Sequence, residues 1–331
     1  MAASAETIGA APARVVHSVL SPAALLETVA RAYSIQRPID CELLRLGMND
    51  TYLLRTRRQR FVLRVYRAGW RSPEDVDYEL ALLAHLAVRG VPVSAAVRGD
   101  DGMLRLPVMA PEGPRMAALF GFALGKPLRW DDAAQSRLAG RLLGHIHAAA
   151  DDFDGPRGRL QLDAEYLIDR PLADMRPFFE TRPRDWLYLQ GLAERLRARV
   201  TAAARDGLDW GPCHGDFTAV HILVHREAVT VLDFDLCGAG WRAFDLLPAR
   251  WQARRHGSAA FWDAFVHGYR EARPLSDRDL ASVPLFEALR HLWGLGLFTR
   301  ELPVRGSSRL SPGYLDYRLA AFRRWELEHP P

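Results

Sequence analysis

The side chains best suited to chemistry are gathered in the run CHGDFTAVHIL, which starts at Cys213, and in VLDFD, which ends at Asp235. Asp216 and Asp233 are carboxylates, and His221 between them is a third side chain able to bind a cation. Two carboxylates beside a further polar ligand suit a hard divalent ion whose shell is completed by phosphate oxygens. Mg2+ is the natural choice, while imidazole favours a softer ion such as Mn2+. Asp235 stands two residues further on, where it would serve a second ion.

These residues need an element to bring them together, and the sequence supplies a local one. HILVH, a polar turn at Arg226 and Glu227, and AVTVLDF read as a β-hairpin. If its centre lies between Arg226 and Glu227, position 220 faces 233, so His221 and Asp233 meet at the open end. Asp216 lies five residues upstream of His221, in a loop. The spacing matches what phosphoryl transfer requires: an H-x-D loop whose Asp takes a hydroxyl proton, a metal ligand five positions on, and an Asp-Phe pair on the following strand. Position 221 is His where that pattern has Asn.

Around this segment the chain changes character. SPAALLETVARAY reads as a helix with Ser21 and Pro22 at its start, after an Ala-rich tail over residues 1–20. TYLLRT and RFVLRVYR form a second hairpin, with Phe61, Leu63 and Val65 on one face. SPEDVDYELALLAHLAVRG is an amphipathic helix that opens with Ser72, Pro73 and Asp75 and stops at Gly90. VPVSAAVR, LRLPVMA and MAALFGFALGK read as strands, and Gly125-Lys126-Pro127 marks a boundary. Beyond it, long Ala-, Leu- and Trp-rich segments are helical, interrupted by β structure only between His214 and Asp235.

HGDFTAVHIL followed by VLDFDLCGAGWRAFDLL resembles the HGD…N…DF…DL signature of the aminoglycoside phosphotransferase, choline kinase and homoserine kinase superfamily. LGMNDTYLL, FVLRVYR and the helix bearing Glu79 resemble its nucleotide-binding sheet and helix C, so the resemblance spans about residues 40 to 300. It implies an α+β, protein-kinase-like two-lobed fold. Residues 1–20 would be a loose tail, 21–124 the nucleotide-binding lobe with an antiparallel sheet and helix C, and 125–331 a mainly helical lobe with the catalytic loop and acceptor site.

It also implies a phosphotransferase that moves the γ-phosphate of ATP, or GTP, to a hydroxyl of a small molecule. Asp216 would be the base and Asp233 the Mg2+ ligand, with His221 and Asp235 assisting. Arg64 stands where the superfamily has a phosphate-binding Lys, and Glu79 matches the acid that pairs with it. A planar guanidinium keeps the charge there and changes the geometry. Asn49 would lie over the phosphates, and the stretch from Leu119 through Phe120 to Phe122 would contact adenine. Asp245 would tie down the catalytic loop. The His at 221 also opens a second reading, a pseudokinase or nucleotide-binding scaffold with impaired catalysis. A third notes that His214-Gly215-Asp216 spells half of a non-haem iron triad, which would need a β-rich barrel around it.

Composition excludes several classes. Of the 44 basic residues only Lys126 is a lysine, and the arginines are interspersed with 40 acids, so no nucleic-acid stripe is present. Three cysteines without a CxxC pair indicate neither a disulfide framework nor a zinc site, in keeping with a cytoplasmic location. No apolar run approaches the ~20 residues of a membrane span. The expected partners are a nucleotide and a hydroxyl acceptor, with the chain a monomer or homodimer. His145 and His147 read as packing histidines, His225 as solvent-facing, and Cys213 as a small buried filler.

Overall fold

The computed structural model describes residues 13–330, so most of the Ala-rich tail lies outside the described residues. The chain forms two compact units. One runs up to Arg71 and resumes over Arg98–Leu119; the other comprises Ser72–Val97 and the chain from Phe120 onward.

In the first unit, helix α1 (Pro22–Ala32) buries Leu25 and Val29. Strands β1 (Asp40–Arg45), β2 (Asp50–Arg55), β3 (Arg60–Val65), β4 (Leu106–Ala110) and β5 (Gly113–Gly121) form one sheet in the order β1-β2-β3-β5-β4. The expected hairpin of β2 and β3 is present and antiparallel, with Phe61, Leu63 and Val65 buried on one face. β1 was not anticipated, because DCELLR is mostly exposed on both faces and so shows no alternation.

The core of this sheet holds a wholly buried guanidinium. Arg115 donates to the carbonyls of Tyr66 (2.8 Å), Ser18 (2.9 Å) and Val65 (3.2 Å), and to Asp50 Oδ2 (2.7 Å). Residues 13–20 have no regular structure, yet Ser18 also donates its hydroxyl to Glu112 (2.6 Å) and Leu20 O accepts from the Tyr52 hydroxyl (3.0 Å).

In the second unit, helix α2 (Pro73–Val88) starts with the expected capping box between Ser72 and Asp75. Helices α3 (Ala133–Ala149), α4 (Arg170–Met175), α5 (Pro183–Arg205), α6 (Leu247–Arg255), α7 (Ala259–Ala272), α8 (Asp277–Arg305) and α9 (Pro312–Glu328) make up most of the rest. The strands are short: β6 (Lys126–Pro127), β7 (Trp210–Cys213), β8 (Ile222–His225), β9 (Ala228–Val231) and β10 (Gly238–Trp241). β6-β8-β9 form one small sheet and β7-β10 another. VPVSAAVR, expected as a strand, makes only isolated bridges from Val93 to Val231 and from Ala96 to Phe120. α3 and α7 cross in close contact: a Cβ on Gly140 would sit 1.9 Å from Phe265 O, and one on Gly268 2.0 Å from Arg137 O. That crossing places His147 on α3 beside Tyr269 on α7.

Candidate active site

The hairpin of β8 and β9 has the anticipated register, with Ile222 opposite Val231 and His225 opposite Ala228. Continued outward, this register puts His221 beside Asp233, and His221 Nε2 lies 3.4 Å from Asp233 Oδ2. The strand ends before Asp233, which adopts φ +62°. Asp is one of the few non-glycine residues that enters the left-handed region at modest cost.

His221 closes the loop from the other side. Its Nδ1 donates to Asp216 O (2.9 Å), with Thr218 Oγ1 at 3.2 Å. Nε2 then carries the lone pair in the neutral ring, on the side facing Asp233. This pair could hold a divalent cation as a half-site of one imidazole nitrogen and one carboxylate, with phosphate oxygens and water completing the shell. Among the described residues no group of three or more His, Cys, Asp or Glu is arranged to hold a metal by itself.

The H-x-D loop is built around two buried groups. His214 accepts the Asp216 N–H on Nδ1 (3.2 Å), which fixes the other nitrogen as the donor to Leu232 O (3.0 Å). Burial holds its pKa below the usual histidine value. With both nitrogens spoken for, His214 has no lone pair for iron, and the surrounding unit is mainly helical; the iron-oxygenase reading is not supported.

Gly215 adopts φ +82°, and a Cβ there would meet Leu236 O at 2.1 Å, so this turn admits only glycine. Beneath it, Asp245 accepts the N–H of His214 (2.6 Å) on one oxygen and that of Gly215 (2.8 Å) on the other. His147 Nε2 donates to the same carboxylate (3.1 Å), and its Nδ1 accepts the Tyr269 hydroxyl (2.8 Å). Burial would raise the Asp245 carboxyl, yet the hydrogen bonds it accepts from His147 and from the backbone of His214 hold it below the ordinary value. Burial depresses His147 against the pull of Asp245. His147 is thus a satisfied buried histidine, as anticipated, whereas His145 is exposed rather than packed. Cys213 is buried and its thiol is pushed well up by that burial.

Two arginines at the site were not legible beforehand. Arg290, on α8, donates to Gly215 O and to Asp216 Oδ1. Its guanidinium lies 5.1 Å from the Phe244 ring centroid and 4.9 Å from that of Trp293. Arg159 donates to the carbonyls of Asp235, Cys237 (2.6 Å) and Asp75 (2.9 Å), fastening the start of α2 to the segment after the hairpin. Nothing in their sequence surroundings marks either one, since both act across long separations.

Asp235 is buried. Glu79 is wholly buried on α2. Phe120 is buried and Phe122 half-buried, and the boundary between the units falls between Leu119 and Phe120. In the first unit, Asn49 Oδ1 accepts the Arg67 N–H (3.3 Å), and Arg64 lies mid-strand on β3, opposite Thr51. The structure thus brings Asp216, His221 and Asp233 together within one unit, and Asn49 and Arg64 belong to the other.

Residues 42–283 match the phosphotransferase enzyme family APH. The chain belongs to this family. As a member it is a phosphotransferase of the kinase class with an alcohol group as acceptor, as the sequence led us to expect. An uncharacterized protein of Deinococcus radiodurans is 41% identical over 95% of this chain and 92% of its own length. A homoserine kinase of Paramagnetospirillum magneticum is 25% identical, with 78% of this chain and 80% of that protein covered. Among solved structures, a microcompartment-associated aminopropanol kinase superposes with TM-score 0.71 at 24% identity, covering 92% of this chain and 95% of that one. An amicoumacin kinase, in complex with AMP-PNP and Ca2+, gives TM-score 0.72 at 19% identity over 94% of this chain and 95% of that one. The fold is α+β and protein-kinase-like. No helix among the described residues is long and apolar enough to cross a membrane.

Proposed function

We propose that this phosphotransferase moves the γ-phosphoryl group of ATP to the hydroxyl of a small metabolite carrying an amine, with Asp216 as the base. The observation that carries this reading is the convergence of Asp216, His221 and Asp233 on a loop anchored by the buried Asp245. The names of similar proteins, homoserine kinase and aminopropanol kinase, support an amino alcohol as acceptor.

In this reading the acceptor O–H gives its proton to Asp216 as its oxygen bonds to the γ-phosphorus, and the bond from that phosphorus to the β-γ bridging oxygen breaks to release ADP. Asp233 and His221 would hold a divalent cation, Mg2+ first and Mn2+ second, whose contribution is to neutralise charge on the phosphates. Asp235 would assist a second ion. Arg64 would serve the α- and β-phosphates, with Glu79 the acid that the resemblance pairs with it, Asn49 the phosphate-covering turn, and Phe120 and Phe122 the adenine. Residues 21–124 would then bind nucleotide and 125–331 the acceptor. Three free cysteines support a cytoplasmic setting. No specific observation favours the scaffold reading.

The test is a thermal-shift screen with ATP or GTP and Mg2+ or Mn2+, followed by ADP release with a panel of amino alcohols. Stabilisation that needs both nucleotide and metal, and that vanishes in Asp233→Ala, is expected. Asp216→Asn should keep the nucleotide shift and lose ~100-fold or more of the turnover. Wild-type protein that no nucleotide stabilises would sink the reading.

A further inference from the structure

Asp216 is held by more than its loop. Of its two carboxylate oxygens, Oδ1 accepts from Arg290, while Oδ2 lies 3.5 Å from His221 Nδ1, a nitrogen whose hydrogen is already given to Asp216 O. Arg290 reaches the loop with two arms, one nitrogen on Gly215 O and the other on Asp216 Oδ1. A planar fork that spans a backbone carbonyl and the next residue's carboxylate fixes the side-chain torsions of that residue relative to its own peptide. The fork is itself immobilised: its side chain is 12% exposed and lies against Phe244 and Trp293. Phe244 directly precedes Asp245, so the ring that supports Arg290 and the carboxylate that anchors the loop come from one short turn.

We propose that Arg290 is the positioning residue of the reaction: it holds Oδ1 of Asp216 and so directs Oδ2 at the acceptor hydroxyl. The inference rests on the reading of Asp216 as the base. The acceptor proton goes to Oδ2, and Arg290 neither gives nor takes a proton, since a guanidinium stays charged throughout. Its contribution is orientation. A base whose carboxylate turns freely spends little time with a lone pair on the reacting hydroxyl, and a misplacement of ~1 Å costs about 100-fold in rate. Arg290 also comes from α8, which packs on α4 through Gly296 and Pro171, so the helix that aims the base is tied to elements outside the catalytic hairpin.

The experiment measures MgATP turnover with water as acceptor, and with homoserine or aminopropanol added, for wild type, Arg290→Ala, Arg290→Lys, Asp216→Asn and the double variant Asp216→Asn/Arg290→Ala. Arg290→Ala should lose about 100-fold in kcat with the nucleotide KM within about twofold. Arg290→Lys, which keeps the charge and loses one arm, should fall between. Guanidinium at sub-denaturing concentration should restore part of the Arg290→Ala rate and leave Arg290→Lys unmoved. In the Asp216→Asn background the Arg290→Ala change should cost nothing further, because both act at one step. If Arg290→Ala retains the wild-type kcat while Asp216→Asn is inactive, the positioning role is wrong and the base stands. An additive loss in the double variant, or absence of guanidinium rescue, assigns Arg290 a structural tether only and overturns the proposal. If wild type shows no turnover with any acceptor, or Asp216→Asn turns over like wild type, the reading beneath it fails too.

Discussion

In each unit a buried charged side chain gathers backbone groups, Arg115 in the first and Asp245 in the second, and these two are opposite in sign. In the first unit the Arg115 guanidinium collects the carbonyls of Ser18, Val65 and Tyr66, and Asp50 balances its charge. In the second the Asp245 carboxylate collects the amides of His214 and Gly215, and His147 supports it. A guanidinium has five donors and suits the gathering of strands and an irregular segment through their oxygens. A carboxylate accepts on two oxygens and suits a tight turn whose N–H groups point inward. The difference in sign has a consequence for loss. Removing Arg115 leaves Asp50 with His17 Nε2 at 3.3 Å and takes one donor from each of three carbonyls, whereas removing Asp245 strands two amides, and a buried N–H tolerates the loss of its partner less well than a carbonyl does.

The largest effect is therefore expected at Asp245. Asp245→Ala leaves two amides and His147 without their acceptor, each orphan costing about 1–3 kcal/mol. Thermal unfolding should fall by roughly 10 °C. Turnover should fall ~100-fold even at temperatures where the protein is folded, because the loop bearing Asp216 loses its seat. An Asp245→Ala protein that melts lower yet turns over normally when folded would separate the anchor from catalysis. Arg115→Met should come next, with a loss of about 3–5 kcal/mol of stability from Asp50, left with His17 Nε2 at 3.3 Å in place of the guanidinium. Here kcat should hold within a few-fold while the nucleotide KM rises, since Asp50 directly follows Asn49, the residue proposed above to cover the phosphates. Arg115→Met/Asp50→Leu should recover most of the melting temperature, because a buried ion pair replaced as a whole often costs little. Failure of that recovery would mean that the carbonyls, more than the charge, need Arg115.

The sequence made these two centres legible to different degrees. The β8–β9 register could be read because a polar turn between two short apolar runs fixes every pairing, so the meeting of His221 and Asp233 followed from local geometry. Asp245 was accessible through family resemblance. Arg115 was not, because it closes the Pro- and Gly-rich stretch PEGPR, where an arginine reads as a solvent-facing turn residue until the segment around Ser18 is seen to fold over it. Arg290 was hidden for a related reason. It acts 74 residues from Asp216 in sequence and sits in a helix whose Trp and Leu spacing advertises only packing. The strands β7 and β10 escaped notice because WGPC and GAGW contain Gly and Pro, which weigh against strands, and are only four residues long.

The comparison extends to pH, with a smaller effect. Burial lowers the pKa of His147, His214 and His291 in the second unit, the last to about 4. A histidine whose folded pKa is depressed contributes nothing above its unfolded value near 6.5, and stability is lost as pH falls below it because the unfolded chain takes up the proton first. His291 alone should cost about 1.4 kcal/mol per pH unit between 6.5 and 4. Its ring lies against Trp251 and Phe322, so His291→Phe should fold and flatten the acid limb of a melting-temperature profile. An unchanged slope would assign the acid sensitivity to the other two histidines.

The smallest effect is expected where the chain departs from its family. His221→Asn replaces a ring nitrogen beside Asp233 with an amide oxygen, and either can complete the half-site. The anchor beneath the loop is untouched, because no bond joins His221 to Asp245. We expect kcat to change by less than about fivefold, and the ratio of half-saturating Mg2+ to Mn2+ to fall, since an amide oxygen is the harder ligand. The loop's other tie from position 221, the ring's Nδ1–H bond to Asp216 O, is lost with the ring and can be remade by the N–H of the Asn amide. A hundredfold change in kcat in either direction would show that the ring does more than ligate, and would move His221 from the metal side of the loop to the side that holds Asp216.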